Sequence, residues 1–489
     1  MTLLMRLFPE AAPGGELHCP ERRPLSLQLT GYRDSASFLA DALRRCAEGA
    51  LSGKDKERER NEFYTIYGLC ASGRLRGSQG AETARAADGG DGSGGGTPAD
   101  VRRLREAAFR RYSPKPLSAR AARRLYGNDL SGSVSRLEKC ADCYGRQYLQ
   151  YGLRLLAREE YVLRPADTGT ILHVCLDRFA GELERRSLRW RDVSEEEAAE
   201  ILRECLQEEA ESYGGRILHS SARTEYQLIW MQRVLERSVQ SLSRQLRGGS
   251  FEPAAFELSF GGQDPGSIPG LEIPLTGGRK MLLRGRIDRL DRCTQGDVVY
   301  VKVIDYKSGG LDLSPAKIRE GRQLQLLVYM LEALTWEEKR HPGRRAVPAA
   351  MLYYQLKDPV ITLNRERGPA GAEEDRSLAL RPTGMLNPSP EVMELLENGR
   401  SMGPSSLYPV QYLKNGGVRA SSRLFDEARF AELSEQALQV MQEMGEQILA
   451  GCIELRPYRR GTENACSYCP YKDVCGFDLR LPGYGTKGD

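Results

Sequence analysis

The spacing of apolar residues changes period part-way along this chain, and that change separates predicted helices from predicted strands. Helical spacing runs through Ala36 to Ala50, where Phe38, Leu39, Leu43 and Cys46 fall on one face. It returns over Leu137 to Arg158, Glu195 to Ser212 and Thr224 to Leu246. Asp167-Thr168-Gly169-Thr170 predicts a helix start, because a short polar side chain accepts a hydrogen bond from an early backbone amide, and His173 follows about one turn in. From Ala255 the character turns β-like, over Ala255 to Phe260, Lys280 to Asp291 and Val298 to Lys307. Thr294-Gln295-Gly296-Asp297 joins the last two as a hairpin turn. A helix over Ser314 to Thr335, a strand over Ala350 to Gln355, a loop-rich stretch beyond Asp358 and a long helix from Ala428 to Leu449 complete the order. The order helix, three strands, helix, strand predicts an α/β fold, a mixed sheet with helices packed on it.

Composition adds boundaries. The 489 residues are 40% hydrophobic and 28% charged, which describes a globular rather than a disordered chain. No apolar run approaches the roughly 18 to 20 residues that cross a bilayer, and the apolar part of Met1 to Pro9 is too short for a signal peptide. A cytoplasmic protein with no membrane partner is expected. Residues 77–96 hold eight glycines and almost no large apolar side chain, which predicts a flexible linker or disordered insert. The net charge of +4 is small but unevenly spread: Arg102 to Tyr126 carries nine Lys or Arg and one acid, Glu106.

The densest chemistry lies between residues 288 and 329. Strand alternation puts Asp305 and Lys307 on one face of Val298 to Lys307, with Tyr306 on the other. Pairing with Arg286-Ile287-Asp288-Arg289 as a hairpin brings Asp288 near Asp305, and adjacent carboxylates repel unless a cation separates them. Oxygen ligands of this type suit Mg²⁺ or Mn²⁺, while a lysine holds the attacking water or stabilises charge on a phosphate oxygen. The alternative is a surface hairpin with an exposed Asp–Lys pair worth little. Gln325 and Tyr329, four apart on one helix face, are placed to touch a nucleic-acid strand or to orient the lysine. His173 reads either as a further metal or phosphate contact or as a structural residue, and Glu257 either as a supporting acid or as a solvated strand residue.

At His173, Gly285-Arg286-Ile287-Asp288, Asp305-Tyr306-Lys307 and Gln325 to Tyr329, the chain resembles the RecB-type branch of the PD-(D/E)XK nucleases. Further likeness to the helicase-associated subunits of that branch lies in Ser135-Arg136-Leu137-Glu138, Pro457-Tyr458-Arg459 and the tail Cys466 to Phe477, and covers roughly residues 130–480. The resemblance implies a restriction-endonuclease-like mixed sheet flanked by helices, with an iron–sulfur-stapled helical region. It implies that Asp288, Asp305 and His173 hold the divalent metal, that Lys307 is the catalytic lysine, and that Gln325 and Tyr329 support the site. It further implies a deoxyribonuclease cutting single strands from unwound duplex DNA in break repair and recombination, with 5′ to 3′ polarity, in a heterodimer with an AddA-type helicase–nuclease subunit. The segments expected are a helical remnant of a helicase-like region (1–76), the glycine-rich linker (77–100), a basic arm and first cysteine helix (101–165), the nuclease core (166–360) and a C-terminal helical extension with its tail (361–489).

Among twelve cysteines, Cys466, Cys469 and Cys475 cluster, leaving a tetrahedral site one ligand short. The resemblance assigns the fourth ligand to Cys143, making a structural [4Fe–4S] cluster. A zinc site, uncoordinated thiols and Cys140 as fourth ligand remain alternatives. The branch often has Cys-Pro-Phe where this chain reads Cys143-Tyr144-Gly145, so the local turn is expected to differ. No Gly-x-x-x-x-Gly-Lys-Ser/Thr is present; Gly49 to Lys54 has the wrong spacing and is followed by Asp55, so no ATP site is expected. Without the helicase-like region of the resembling proteins, a fragment, a split gene product or an incomplete gene model is expected. The competing function is a non-catalytic DNA-binding scaffold, and a stand-alone nuclease akin to the CRISPR-adaptation family leaves residues 360–450 unaccounted for.

Overall fold

The computed structural model describes residue 64 and residues 112–488, apart from 157, 159–160, 264–265, 363–367, 415, 422 and 481–482. The helix expected over Ala36–Ala50, the glycine-rich linker and residues 102–111 of the basic arm lie outside the described residues. The chain divides into two units, residues 114–475 with 486–489, and residues 1–113 with 476–485; all elements below belong to the first.

That unit opens with α1 (Ala119–Tyr126), β1 (Leu130–Ser133), α2 (Val134–Asp142), α3 (Tyr144–Gln147) and a π-helical turn, Tyr148–Gly152. Three long helices follow, α4 (Pro165–Arg185), α5 (Glu195–Ser212) and α6 (Ala222–Arg247), then β2 (Glu252–Phe260), β3 (Leu271–Pro274), β4 (Lys280–Gln295) and β5 (Val298–Lys307). Helices α7 (Pro315–Arg319) and α8 (Gln325–Arg340) lead to β6 (Arg345–Gln355), α9 (Gly368–Ala379), β7 (Thr383–Leu386), α10 (Pro390–Leu396), α11 (Glu427–Leu449) and α12 (Lys472–Cys475).

The sheet runs β1-β4-β5-β6-β7, with β2 and β3 also on β4. Strand β4 is long enough to serve two neighbourhoods: its first half lies between β1 and β3, its second between β2 and β5. The β1–β4 and β5–β6 pairs are parallel, and the remaining pairs of this sheet are antiparallel. Alternation along β5 divides the core in two. Tyr300, Ile304 and Tyr306 pack with α4, α5 and α6, whereas Val299, Val301 and Val303 pack with α2, α8 and α11. Each fully buried aliphatic contributes about 1.5–3 kcal/mol, and this two-sided packing holds the strands together where their polar ends repel.

Several expectations need correction. The helix predicted over Leu137–Arg158 breaks at Cys143, which is extended (φ −168°, ψ 122°). Apolar spacing continues through the break, so periodicity cannot register it. The helix predicted over Ser314–Thr335 is two, α7 and α8, separated by Gly321 at φ +74°. There the Gln323 side chain accepts from the Ser314 amide and donates to the Asp312 carbonyl, each at 2.9 Å, closing a loop in place of helix. Asp167 is not the cap residue but lies inside the first turn of α4, where it accepts from the Arg164 amide at 2.7 Å. Strands β1, β3 and β7, four residues each, went unpredicted because they are too short for a period to emerge, and the loop-rich stretch contains α9 and α10.

Candidate metal-dependent active site

The antiparallel ladder of β4 and β5 runs from Gln295↔Val298 to Arg289↔Ile304 and opens at the next position, where Asp288 meets Asp305. The Tyr306 amide, instead of continuing the ladder, donates to Asp288 Oδ2 at 2.7 Å. On the other side of β4, the pairs Phe256↔Arg289 and Leu258↔Ile287 put Glu257 across from Asp288. Three carboxylates from three neighbouring strands therefore share one row. Like charges directly opposite each other destabilise a sheet. Glu257 also has φ +45°, a left-handed conformation rare for a non-glycine residue and a mark of a functionally constrained backbone.

Helix α4 brings His173 to this row. Its Nε2 lies 2.9 Å from the Tyr306 carbonyl, which only accepts, so Nε2 carries the proton of that hydrogen bond. Burial, with Lys307 adding to it, pushes His173 down to about 4, so the ring is neutral near pH 7 and Nδ1 is bare. That bare nitrogen stands 3.4 Å from Asp288 Oδ2. Ligand atoms of His173, Glu257 and Asp288 all lie within 4.8 Å of one another, the only such group of three or more among the described residues.

Asp305 completes the acids from a different direction. It is 1% exposed, and neither of its oxygens receives a well-formed hydrogen bond. Lys307 Nζ stands 2.5 Å from its Oδ2 as an ion pair and donates to Gln325 Oε1 at 2.9 Å; Gln325 Nε2 in turn donates to the Tyr329 hydroxyl at 2.8 Å. Burial raises the Asp288 carboxyl well above the usual carboxylate range, and Asp305 and Glu257 raise it further. Burial likewise raises Asp305, against the pull of Lys307. Clustered carboxylates raised by burial and by one another, beside a neutral imidazole, fit a hard divalent cation. A cleft of about 400 Å³ opens onto His173, Glu257 and Lys307.

Of the three expected metal ligands, the structure brings His173 and Asp288 together, with Glu257, whose role the sequence left open, as the third member of the group. Asp305 lies beside Asp288 in the strand register but outside that group, paired with Lys307, which Gln325 and Tyr329 steady. Arg286, 3.1 Å from Glu257, and Asp177 also line the cleft; neither had a sequence signal beyond its neighbours.

A model of the PD-(D/E)XK nuclease superfamily matches residues 131–476. The chain belongs to that superfamily. It is similar to proteins named as the B-type subunit of an ATP-dependent helicase/deoxyribonuclease. The relative from Lachnoclostridium phytofermentans is 30% identical over 99% of this chain and 38% of its own length. Those from Moorella thermoacetica and Desulforamulus reducens are each 37% identical, over 78% and 73% of this chain and 33% and 31% of theirs. The chain spans about a third of the length of these curated relatives.

Members of this superfamily share the mixed sheet flanked by helices; in this chain a cysteine-bearing tail is added. Cys466 is pushed up to about 11, first by burial and then by the neighbouring Cys143, Cys469 and Cys475 sulfurs, so these four residues are neighbours. Cys140 has other company: burial pushes it up to about 12, and its neighbours are Lys487, Cys452 and Tyr144. Backbone bonds fasten the tail to the cysteine helix, from Tyr458 N to Asp142 O at 2.8 Å and from Gly145 N to Glu454 O at 3.0 Å. A Cβ at Gly145 would stand 2.3 Å from Leu455 Cδ2, so a larger residue there requires the Leu455 side chain to move. No helix among the described residues is long and apolar enough to cross a membrane.

Proposed function

We propose that this chain is the metal-dependent nuclease module of an AddB-type subunit, hydrolysing phosphodiester bonds of single DNA strands in a helicase–nuclease heterodimer with an AddA-type partner. The observation that carries this reading is the row Glu257, Asp288 and Asp305 facing neutral His173, with Lys307 at its end. Those acids and His173 Nδ1 would hold Mg²⁺ or Mn²⁺, which supplies Lewis-acid stabilisation of phosphoryl oxygens when bound. Lys307, tethered by Asp305 and Gln325, orients the attacking water and faces the negative charge that develops on the phosphate. Exonucleolytic action, 5′ to 3′ polarity and a role in double-strand break repair and recombination belong to this proposal and rest on the sequence resemblance.

Cleavage of single-stranded DNA with Mg²⁺ by the native chain, reduced at least about a thousand-fold in Asp305→Ala, is the expected result. Equal cleavage by both proteins sinks the site. No cleavage by either under metal-replete conditions favours the non-catalytic DNA-binding scaffold.

The four neighbouring cysteines support a structural [4Fe–4S] cluster held by Cys143, Cys466, Cys469 and Cys475. A brown protein whose visible absorption is lost in Cys143→Ser and kept in Cys140→Ser is expected. A colourless, zinc-containing protein overturns the iron assignment.

A further inference from the structure

Glu138 lies on α2, away from the cleft, yet it is bonded to the helix that steadies Lys307. Its Oε1 accepts from the Leu324 amide at 2.8 Å and the Gln325 amide at 3.0 Å, the first backbone donors of α8. Leu324 itself has no side-chain acceptor, so α8 begins without a cap of its own and takes one from another helix. Gln325, the residue so held, is the one whose Oε1 receives the Lys307 ammonium and whose Nε2 binds Tyr329.

The preceding loop is clamped from the same side. Arg322 reaches Asp142, at the end of α2, at 3.2 Å and Glu463 in the tail at 2.8 Å, and its guanidinium lies 3.6 Å over the Tyr458 ring. Helix α2 runs directly into Cys143.

We propose that Glu138 is a positioning residue for hydrolysis: by capping α8 from α2 it fixes Gln325, and through Gln325 the direction of the Lys307 ammonium. This rests on the nuclease reading above. The cap is made by the acceptor atom, and the Lys307 and Lys139 ammonium groups act on the carboxyl's charge beside it. Burial pushes Glu138 up to about 7, against the two amides, and a carbonyl-type oxygen remains available in either protonation state. Glutamine therefore substitutes for it, and alanine does not. The coupling runs from the cysteine-anchored side of the molecule to the lysine, so the tail's attachment bears on turnover as well as on folding.

The test uses the full chain and four variants, Glu138→Ala, Glu138→Gln, Gln325→Ala and the Glu138→Ala/Gln325→Ala double variant, with Mg²⁺ and single-stranded DNA. A lysine displaced by about 1 Å costs on the order of a hundredfold. Glu138→Ala is expected to lower kcat about that much, with KM for DNA within about twofold, and Glu138→Gln to recover most of the loss. The double variant is expected to be no slower than Gln325→Ala, because both act on one contact. Amide exchange at residues 324 and 325, which needs no activity, should quicken in the alanine variant and return to native in the glutamine variant. If Glu138→Ala does not fold, the glutamine variant and its exchange at these amides decide alone: loss of turnover there overturns the inference. Quickened exchange with native kcat overturns it too, as do fully additive losses, while the nuclease reading stands. A native chain that cuts nothing removes both.

Discussion

Two clusters of buried charge share strands β4 and β5, three residues apart, and they are built on opposite plans. In the first, Asp291 is 0% exposed between Arg289 Nε at 2.7 Å and Lys302 Nζ at 2.9 Å. Arg289 also lies 4.6 Å over the Trp190 ring, and Lys302 5.1 Å over Phe251. Burial alone would raise the Asp291 carboxyl, but Arg289 and Lys302 hold it below the usual range. In the second, Glu257, Asp288 and Asp305 outnumber the cations near them, and all three carboxyls are pushed up. The same strand pair therefore carries one cluster whose acid is held ionised by the chain's own cations and one whose acids are left favouring their protonated form, which is where the proposed metal would bind. The direction of the carboxyl shift separates a closed structural cluster from an open metal site.

The largest effect expected is on the closed cluster. Asp291→Ala leaves two buried cations without their acid and should cost about 3–5 kcal/mol, measured by denaturant unfolding. A loss under about 1 kcal/mol would show that the two clusters are not built differently.

Next in size is the response of the open cluster to cation. At a hundredfold excess over its Kd, Mg²⁺ or Mn²⁺ should stabilise the native chain by about 2.7 kcal/mol. Protons compete for the same oxygens, because the folded carboxyls sit above their unfolded values. Their own contribution to metal-free stability is complete below the unfolded pKa of about 3.9 and is lost as pH rises through the raised folded value. The gain on adding metal should therefore grow from acidic to neutral pH. His173, pushed down to about 4, stays neutral over most of that range and does not reverse the slope. A metal response that shrinks as pH rises contradicts the open cluster.

The smallest effect is the most discriminating. Asp288→Asn keeps an acceptor for the Tyr306 amide and removes a repelling charge, so metal-free stability at neutral pH should rise by about 0.5–2 kcal/mol while the metal response falls. A destabilised variant would place Asp288 with the closed kind of cluster instead.

Much of this was legible in the chain. Asp305 and Lys307 share a face because strand periodicity is two, and the Gly296 turn, at φ +57°, sets the register that aligns Asp288 with Asp305. The bounds of α5 and β5 match the predicted spans, because each carries an uninterrupted pattern between clear end signals. Glu257 was not legible. A glutamate in an amphipathic strand looks the same whether it faces water or a metal, and its left-handed backbone leaves no trace in composition. Glu138 stood in a recognisable motif, but its partners are 186 and 187 residues away.

By itself, then, the sequence determined the alternation that aims the acids and the lysine, the helix spans, and the cysteine spacing, all of which depend on local geometry and short separations. Only the tertiary structure decided that Cys143, and not Cys140, stands beside Cys466, that Glu257 enters the acid row, and that Glu138 caps the helix behind Lys307. These are choices among side chains with the same local pattern. They are settled by what packs against each one from far along the chain, through burial and the distance between charges, and no periodicity encodes either.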